Sequence, residues 1–178
     1  VDTGGRAPEP AARLTTTTSS CGWCGTDGID EVTARIAPLV NPVAFDIDVL
    51  AGVPDQVRRS QRLFDTTGGV HAAAAFDRAG AVIAVREDIG RHNAVDKVVG
   101  RLLLDGRLPV PELALFVSGR TSFEIIQKAW AAGFSAVVAV SAPSSLAAEA
   151  ARRAGMTLAG FARPGRLNIY VEGGGTRE

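Results

Sequence analysis

The chain has 178 residues, 46% apolar and 21% charged, an ordinary globular composition that fits one domain with a short appendage. Its 19 Lys and Arg balance its 19 Asp and Glu. This removes any whole-molecule argument for nucleic acid or an anionic membrane and leaves an anion site to a local cluster. No apolar run approaches a membrane span, and the first residues lack the charged and apolar regions of a signal peptide. The expected compartment is the cytoplasm, where two cysteines three positions apart point to reactivity or metal binding before a structural staple.

Residues 1–29 read as a flexible segment, rich in Gly, Pro, Ala and Thr, that carries Cys21-Gly22-Trp23-Cys24-Gly25 near its end. Residues 30–178 read as one α/β domain. Short helices are predicted over Asp30 to Leu39 and over Val53 to Asp65, the second entered through Pro54 and Asp55. Thr66-Thr67-Gly68-Gly69 is predicted as a turn. His71 to Phe76 and Ala81 to Arg86 are apolar runs joined by Asp77-Arg78-Ala79-Gly80, the pattern of a hairpin. A helix follows, with Val95, Val98, Val99, Leu102 and Leu103 on one face. Leu113 to Val117 is a continuous apolar run, as in a strand covered on both faces.

Thr121 to Ala132 is predicted as a helix, with Thr121 and Glu124 at capping-box spacing and Gly133 at the exit. Ile125, Ile126, Ala129 and Trp130 fall at helical spacing and read as core. Ala136 to Val140 is a second buried strand. Ser144 to Ala154 is a helix stopped by Gly155, Met156 to Phe161 a strand, and Asn168 to Val171 a last short one. Strands alternating with helices of about 10–12 residues call for an α/β domain with a mainly parallel sheet.

In open α/β sheets ligands sit beyond the carboxyl ends of the strands. Four such ends are predicted, running into Glu87 to Asn93, Ser118-Gly119-Arg120, Ser141 to Ser144, and Ala162 to Arg166. Three of these loops open a helix, whose free N–H groups favour an anion. Gly90, Gly119 and Gly165 allow close backbone approach, and Arg91, Arg120, Arg163 and Arg166 add planar donor forks. The cluster suits a phosphate-bearing or nucleotide-bearing ligand. His92 stands at a helix start in this set and is a candidate contact, whereas His71 reads as a structural histidine.

A thiolate beside a second thiol can carry sulfur as a persulfide, pass it on, or close a disulfide. Three readings of Cys21 and Cys24 stay open on the residues. The first is a thioredoxin-type redox pair, for which the Thr/Ser-rich setting is wrong. The second is a zinc site completed by His71 and His92, whose spacing matches no common finger. The third is a sulfur relay on a mobile loop.

Several stretches in order carry a resemblance: Thr18 to Gly25; Thr67-Gly68-Gly69-Val70-His71-Ala72-Ala73; the long run Arg86 to Lys97; Ser118-Gly119-Arg120; Ala139 to Pro143; and Gly160-Phe161-Ala162-Arg163. This set resembles the FdhD family, the formate dehydrogenase accessory sulfurtransferases, over about residues 15–171. The resemblance implies a cytidine-deaminase-like three-layer α/β/α sandwich with a mixed, mainly parallel sheet and no zinc site. It implies a persulfide on Cys21 assisted by Cys24, with sulfur taken from a cysteine desulfurase. Delivery would be to the molybdenum of bis-(molybdopterin guanine dinucleotide), held as cargo for formate dehydrogenase, and GDP would mimic that cargo. It also implies a homodimer, and it makes Phe161, Ala162, Arg163, Pro164, Gly165 and Arg166 a cofactor-binding segment. Arg91, His92, Asn93, Ser118, Gly119, Arg120 and Ser141 complete the expected site. Family members carry a further region before the Cys loop, so this sequence is expected to be the C-terminal part of a longer protein.

Zinc nucleobase deaminases share that fold and carry His-x-Glu and Pro-Cys-x-x-Cys. Here the two places read His92-Asn93-Ala94 and Ser118-Gly119-Arg120-Thr121-Ser122, so the acid/base carboxylate and both cysteines of that chemistry are missing. The runner-up reading is a guanine-nucleotide or cofactor-binding module whose Cys-x-x-Cys binds zinc or acts in redox regulation.

Overall fold

The computed structural model describes residues 36–174. Cys21, Trp23, Cys24 and the expected domain boundary at residues 29 and 30 lie outside them. Within the described residues a six-stranded sheet runs in the order β2-β1-β3-β4-β5-β6. The strands are β1 His71–Phe76, β2 Val82–Asp88, β3 Ala114–Val117, β4 Ala136–Ala139, β5 Thr157–Arg163 and β6 Arg166–Val171. β3, β4 and β5 pair in parallel, while β1 is antiparallel to both β2 and β3, and β6 to β5. Four strands (β2, β3, β4 and β5) therefore run one way, and all four carboxyl ends lie along one edge, as the ligand argument requires.

The described residues form five helices around the sheet: α1 Ile47–Arg58, α2 Arg62–Thr67, α3 Arg91–Leu104, α4 Phe123–Ala132 and α5 Ser145–Ala154. One face packs under α3, α4 and α5, where Val95, Val98, Leu102, Ile125, Ile126 and Trp130 meet Leu115, Val117, Val137 and Leu158. The opposite face packs under α1, where Leu50, Val53 and Val57 meet Ala72, Ala74, Phe76, Ala114, Phe116, Val138 and Ala159. Alternate strand residues serve the two faces, which is the period-2 geometry of a strand. The result is the three-layer α/β/α sandwich.

The hairpin forms as expected: Asp77 Oδ1 accepts from the N–H groups of Ala79 and Ala81, both at 2.9 Å, and Gly80 turns the chain at φ +83°. Gly133 and Gly155 end α4 and α5 in the left-handed region. Several boundaries differ. Residues 36–39 of the expected first helix are not helical; they run against α4, where Trp130 Nε1 donates to Ala37 O at 2.7 Å. The expected Val53 to Asp65 helix is two. α1 starts earlier because Asp46 caps it, accepting from Asp48 N–H at 2.7 Å, and Pro54 lies inside it; α1 ends at Arg58. Thr66 and Thr67 finish α2 instead of making a turn, with Gly68 as its left-handed cap. Leu103 is exposed; Ala94 takes its place on the buried face. The capping box does not form: Ser122 is the N-cap of α4, and the buried Thr121 pairs with Pro143 as an isolated bridge, its hydroxyl without a hydrogen-bond partner.

Candidate functional site

Beyond α1 a cavity of about 520 Å³ opens between the α1–α2 corner and the ends of β3, β4 and β5. That volume falls in the range of small-molecule sites. Its walls include Arg58, Gln61, Phe64, Gly68, Gly69, His71, Phe116, Ser118, Val140, Ala162, Arg163 and Pro164. A second cleft of about 260 Å³ lies beside it, lined by Phe161, Arg163, Arg166, Leu167 and Asn168. Arg163 borders both.

The edge is knitted from backbone. Val140 N–H donates to Val117 O at 3.1 Å, Thr121 N–H to Ala142 O at 3.1 Å, Ser144 N–H to Thr121 O at 2.9 Å, and Phe161 N–H to Ser141 O at 3.2 Å. The loops after β3 and β4 and the bulge of β5 are thus one unit. Gly160 is required there: a Cβ would lie 2.9 Å from Pro143 Cδ and 3.1 Å from Ser141 O. The bulge puts Phe161 at φ +53°, a costly conformation for a bulky residue, with its side chain on the cleft. Pro164-Gly165 then turns the chain into β6 with Gly165 at φ +71°, the Pro–Gly order that a type II turn uses. Arg163 donates through Nη1 to Val140 O and Ala162 O, both at 2.7 Å. The carbonyls at the strand end thereby aim its guanidinium.

Of the expected residues, Ser118, Ala162, Arg163 and Pro164 line the cavity, and Phe161, Arg163 and Arg166 line the cleft. Arg120 is exposed beside them, Ser141 ties the bulge, and Gly119 makes room for its neighbours. Arg91, His92 and Asn93, at the start of α3, line neither hollow. His92 Nε2 lies 2.9 Å from Ser122 Oγ and 3.8 Å from Glu124 Oε2. Burial first, then the charge of Arg91, lowers the His92 pKa below its ordinary value, so the ring is neutral at neutral pH. Arg91 has its Nε buried without a hydrogen-bond partner.

Asn93 donates to Asp88 Oδ1 at 3.1 Å, Gly90 N–H donates to the same atom at 2.9 Å, and Lys97 pairs with Asp88 Oδ2 at 2.6 Å. The Lys97 hydrogen bond, then that of Gly90 N–H, holds the Asp88 carboxyl down at about 2. Much of the Arg86 to Lys97 run is therefore a self-tied corner. Lys97 and Asp96 do not pair with each other, since Asp96 pairs with Lys128. The two histidines of the zinc alternative are engaged separately, His71 with Ser118 and His92 with Ser122.

Sequence reasoning missed the α1–α2 wall. α2 has six residues, none of them buried. It is held by polar contacts: Glu87 accepts from the N–H groups of Leu63 and Phe64, both at 2.9 Å, and Arg58 pairs with Asp65 at 2.6 Å and lies over the Phe64 ring. The Gly68-Gly69 pair was the available signal for a backbone wall. Among the described residues no group of three or more His, Cys, Asp or Glu is placed to hold a metal ion, and no helix is long and apolar enough to cross a membrane.

The family model described as FdhD/NarQ matches residues 2–175. The sulfur carrier protein FdhD of Streptomyces coelicolor is 53% identical over 159 residues, covering 87% of this chain and 56% of that protein. The sulfur carrier protein FdhD of Nocardia farcinica is 51% identical over 168 residues, covering 93% and 60%. The chain thus spans between 56% and 60% of the length of these two relatives. A candidate formate dehydrogenase accessory protein from Desulfotalea psychrophila, seen in a crystal structure, superposes with a TM-score of 0.69 at 32% identity, over 79% of this chain and 59% of that one. An NE0047 mutant in complex with 8-azaguanine shares the fold alone, with a TM-score of 0.53 at 12% identity over 80% of this chain and 88% of that one.

Proposed function

Because the chain belongs to the FdhD/NarQ family, we propose that it carries sulfur on Cys21 and hands it to a molybdenum cofactor held at the sheet edge, for use by formate dehydrogenase. The observation that carries the cargo half is the cavity of about 520 Å³ where strand ends, Ser118 and Arg163 converge. It has an apolar floor for a base, from Phe116, Val140 and Ala162, and cationic forks for phosphates in Arg58 and Arg163. The cargo is bis-(molybdopterin guanine dinucleotide), and a second copy of the chain would serve its second nucleotide arm.

The sulfur half rests on the paired thiols and the family. The Cys21 thiolate attacks the outer sulfur of a cysteine desulfurase persulfide. An S–S bond forms on Cys21 as the one on the desulfurase breaks, and the desulfurase leaves as a thiolate. The Cys24 thiolate then attacks the inner sulfur of the Cys21 persulfide. This closes the Cys21–Cys24 disulfide and releases sulfide, carrying the electron pair, to the metal of the cargo. A dithiol reductant must reopen the disulfide for the next turnover.

The test of the cargo half is titration with GDP, followed by calorimetry, against ADP as a control. Saturable binding of GDP in preference to ADP is expected. Equal binding of the two would remove the guanine preference, and no binding would remove the nucleotide site.

A further inference from the structure

The Ser118-Gly119 pair does something more specific than turn a loop. Ser118 Oγ accepts from Ala72 N–H at 2.8 Å and lies 3.3 Å from His71 Nδ1. With one lone pair taken by Ala72 N–H, the hydroxyl is placed to give its own hydrogen to that ring nitrogen. Gly119 faces the same ring: a Cβ there would stand 3.1 Å from His71 Cε1 and 3.2 Å from Nδ1, with Arg91 Cδ at 3.4 Å. The start of β1 and the end of β3 thus seat one imidazole between a hydroxyl and a bare backbone, on the wall of the main cavity.

A histidine whose Nδ1 accepts a hydrogen bond carries its hydrogen on Nε2 in the neutral ring. Nε2 has no hydrogen-bond partner among the described residues. A ring held on one side and left with an unpartnered nitrogen, on a residue of the cavity wall, is how a ligand-orienting group is built. We propose that His71 is a binding and specificity residue of this site, giving its Nε2–H to an acceptor atom, oxygen or ring nitrogen, of the nucleotide arm of the cargo. Ser118 and Gly119 are then positioning residues that act through His71. This rests on the nucleotide-site reading and deepens it.

The test uses the whole chain with GDP as the probe. His71→Ala is expected to weaken GDP binding about tenfold, the scale of one hydrogen bond to a ligand, and His71→Gln, which keeps an N–H donor, to recover part of it. Gly119→Ala is expected to weaken binding in the same direction by pushing the ring aside. In the wild type, nitrogen NMR of the ring should show hydrogen on Nε2, and GDP should move the Nε2 resonance more than the Nδ1 resonance. That readout does not depend on any variant folding, and a merely structural histidine would not give it. Unchanged GDP affinity in folded His71→Ala, or a wild-type Nε2 resonance that GDP leaves in place, overturns the role of His71 while the cavity reading stands. A wild type that fails to bind GDP overturns both.

Discussion

The two faces of the sheet are built to different ends. Under α3, α4 and α5 the strands present Leu115, Val117, Val137 and Leu158, packed against Val95, Ile125, Ile126 and Trp130 and against the buried alanines of α5. Under α1 the strands present mainly alanine: Ala72, Ala74, Ala114, Ala136, Ala159 and Ala162. α1 packs on that floor, and α2 beside it lies on the rim with none of its residues buried. The three-helix face supplies apolar burial and so most of the stability. The cavity opens past the end of α1, and of these alanines Ala162 stands on its wall.

The three-helix face should break hardest. Ile126 is fully buried in α4, and Ile126→Ala is expected to cost about 2–5 kcal/mol, read as a lowered Tm, with GDP affinity unchanged at temperatures where the protein is folded. Ala162→Leu, on the cavity wall, should do the reverse: a smaller loss of stability, about 1–3 kcal/mol if the site resists the added bulk, with GDP binding lost. If both variants shift Tm equally and neither affects GDP, the division between the faces is wrong.

On the rim, Glu87→Gln removes the charge that the Leu63 and Phe64 N–H groups meet. A loss of about 1 kcal/mol is expected, seen as faster hydrogen exchange at those two amides while β1 and β3 exchange as before. Uniform acceleration would show that α2 is part of the global core.

The smallest effect concerns Asp88. Its carboxyl sits at about 2 in the fold against an ordinary 3.8, held there first by Lys97. A carboxyl lowered on folding contributes stability above its unfolded value and loses it as pH falls toward its folded one. The Tm gap between wild type and Asp88→Asn should be constant above pH of about 5 and close between about 4 and 2. A gap that widens on acidification would contradict the corner described above.

From His71 onward, the fold was legible because strand and helix periods differ and Gly133, Gly155 and the Asp77 to Gly80 turn punctuate them. The common edge for four strand ends followed from the βα rhythm alone. The division of α1 from α2 was not legible, because Pro54 resembles a helix start while Leu50, Val53 and Val57 at helical spacing carry the true helix around it. The capping box failed for a tertiary reason: Thr121 is drawn into a bridge with the β4 loop. Arg163 was legible as a charged residue just beyond a buried strand. His71 read as a structural histidine, and its contact with Ser118 depends on where the end of β3 lies beside the start of β1. The residues of the long Arg86 to Lys97 run show a further limit. Spacing does not say whether Asp88 and Asn93 face a ligand or each other, and in the fold they face each other.

The central claim is that Cys21 carries sulfur. The direct measurement is the intact mass of the protein after incubation with a cysteine desulfurase and cysteine, for wild type, Cys21→Ala and Cys24→Ala. The account predicts one added sulfur atom on wild type and on Cys24→Ala, removed by a reductant, and none on Cys21→Ala. A folded wild type that gains no sulfur, or a Cys21→Ala protein that gains it all the same, would contradict it.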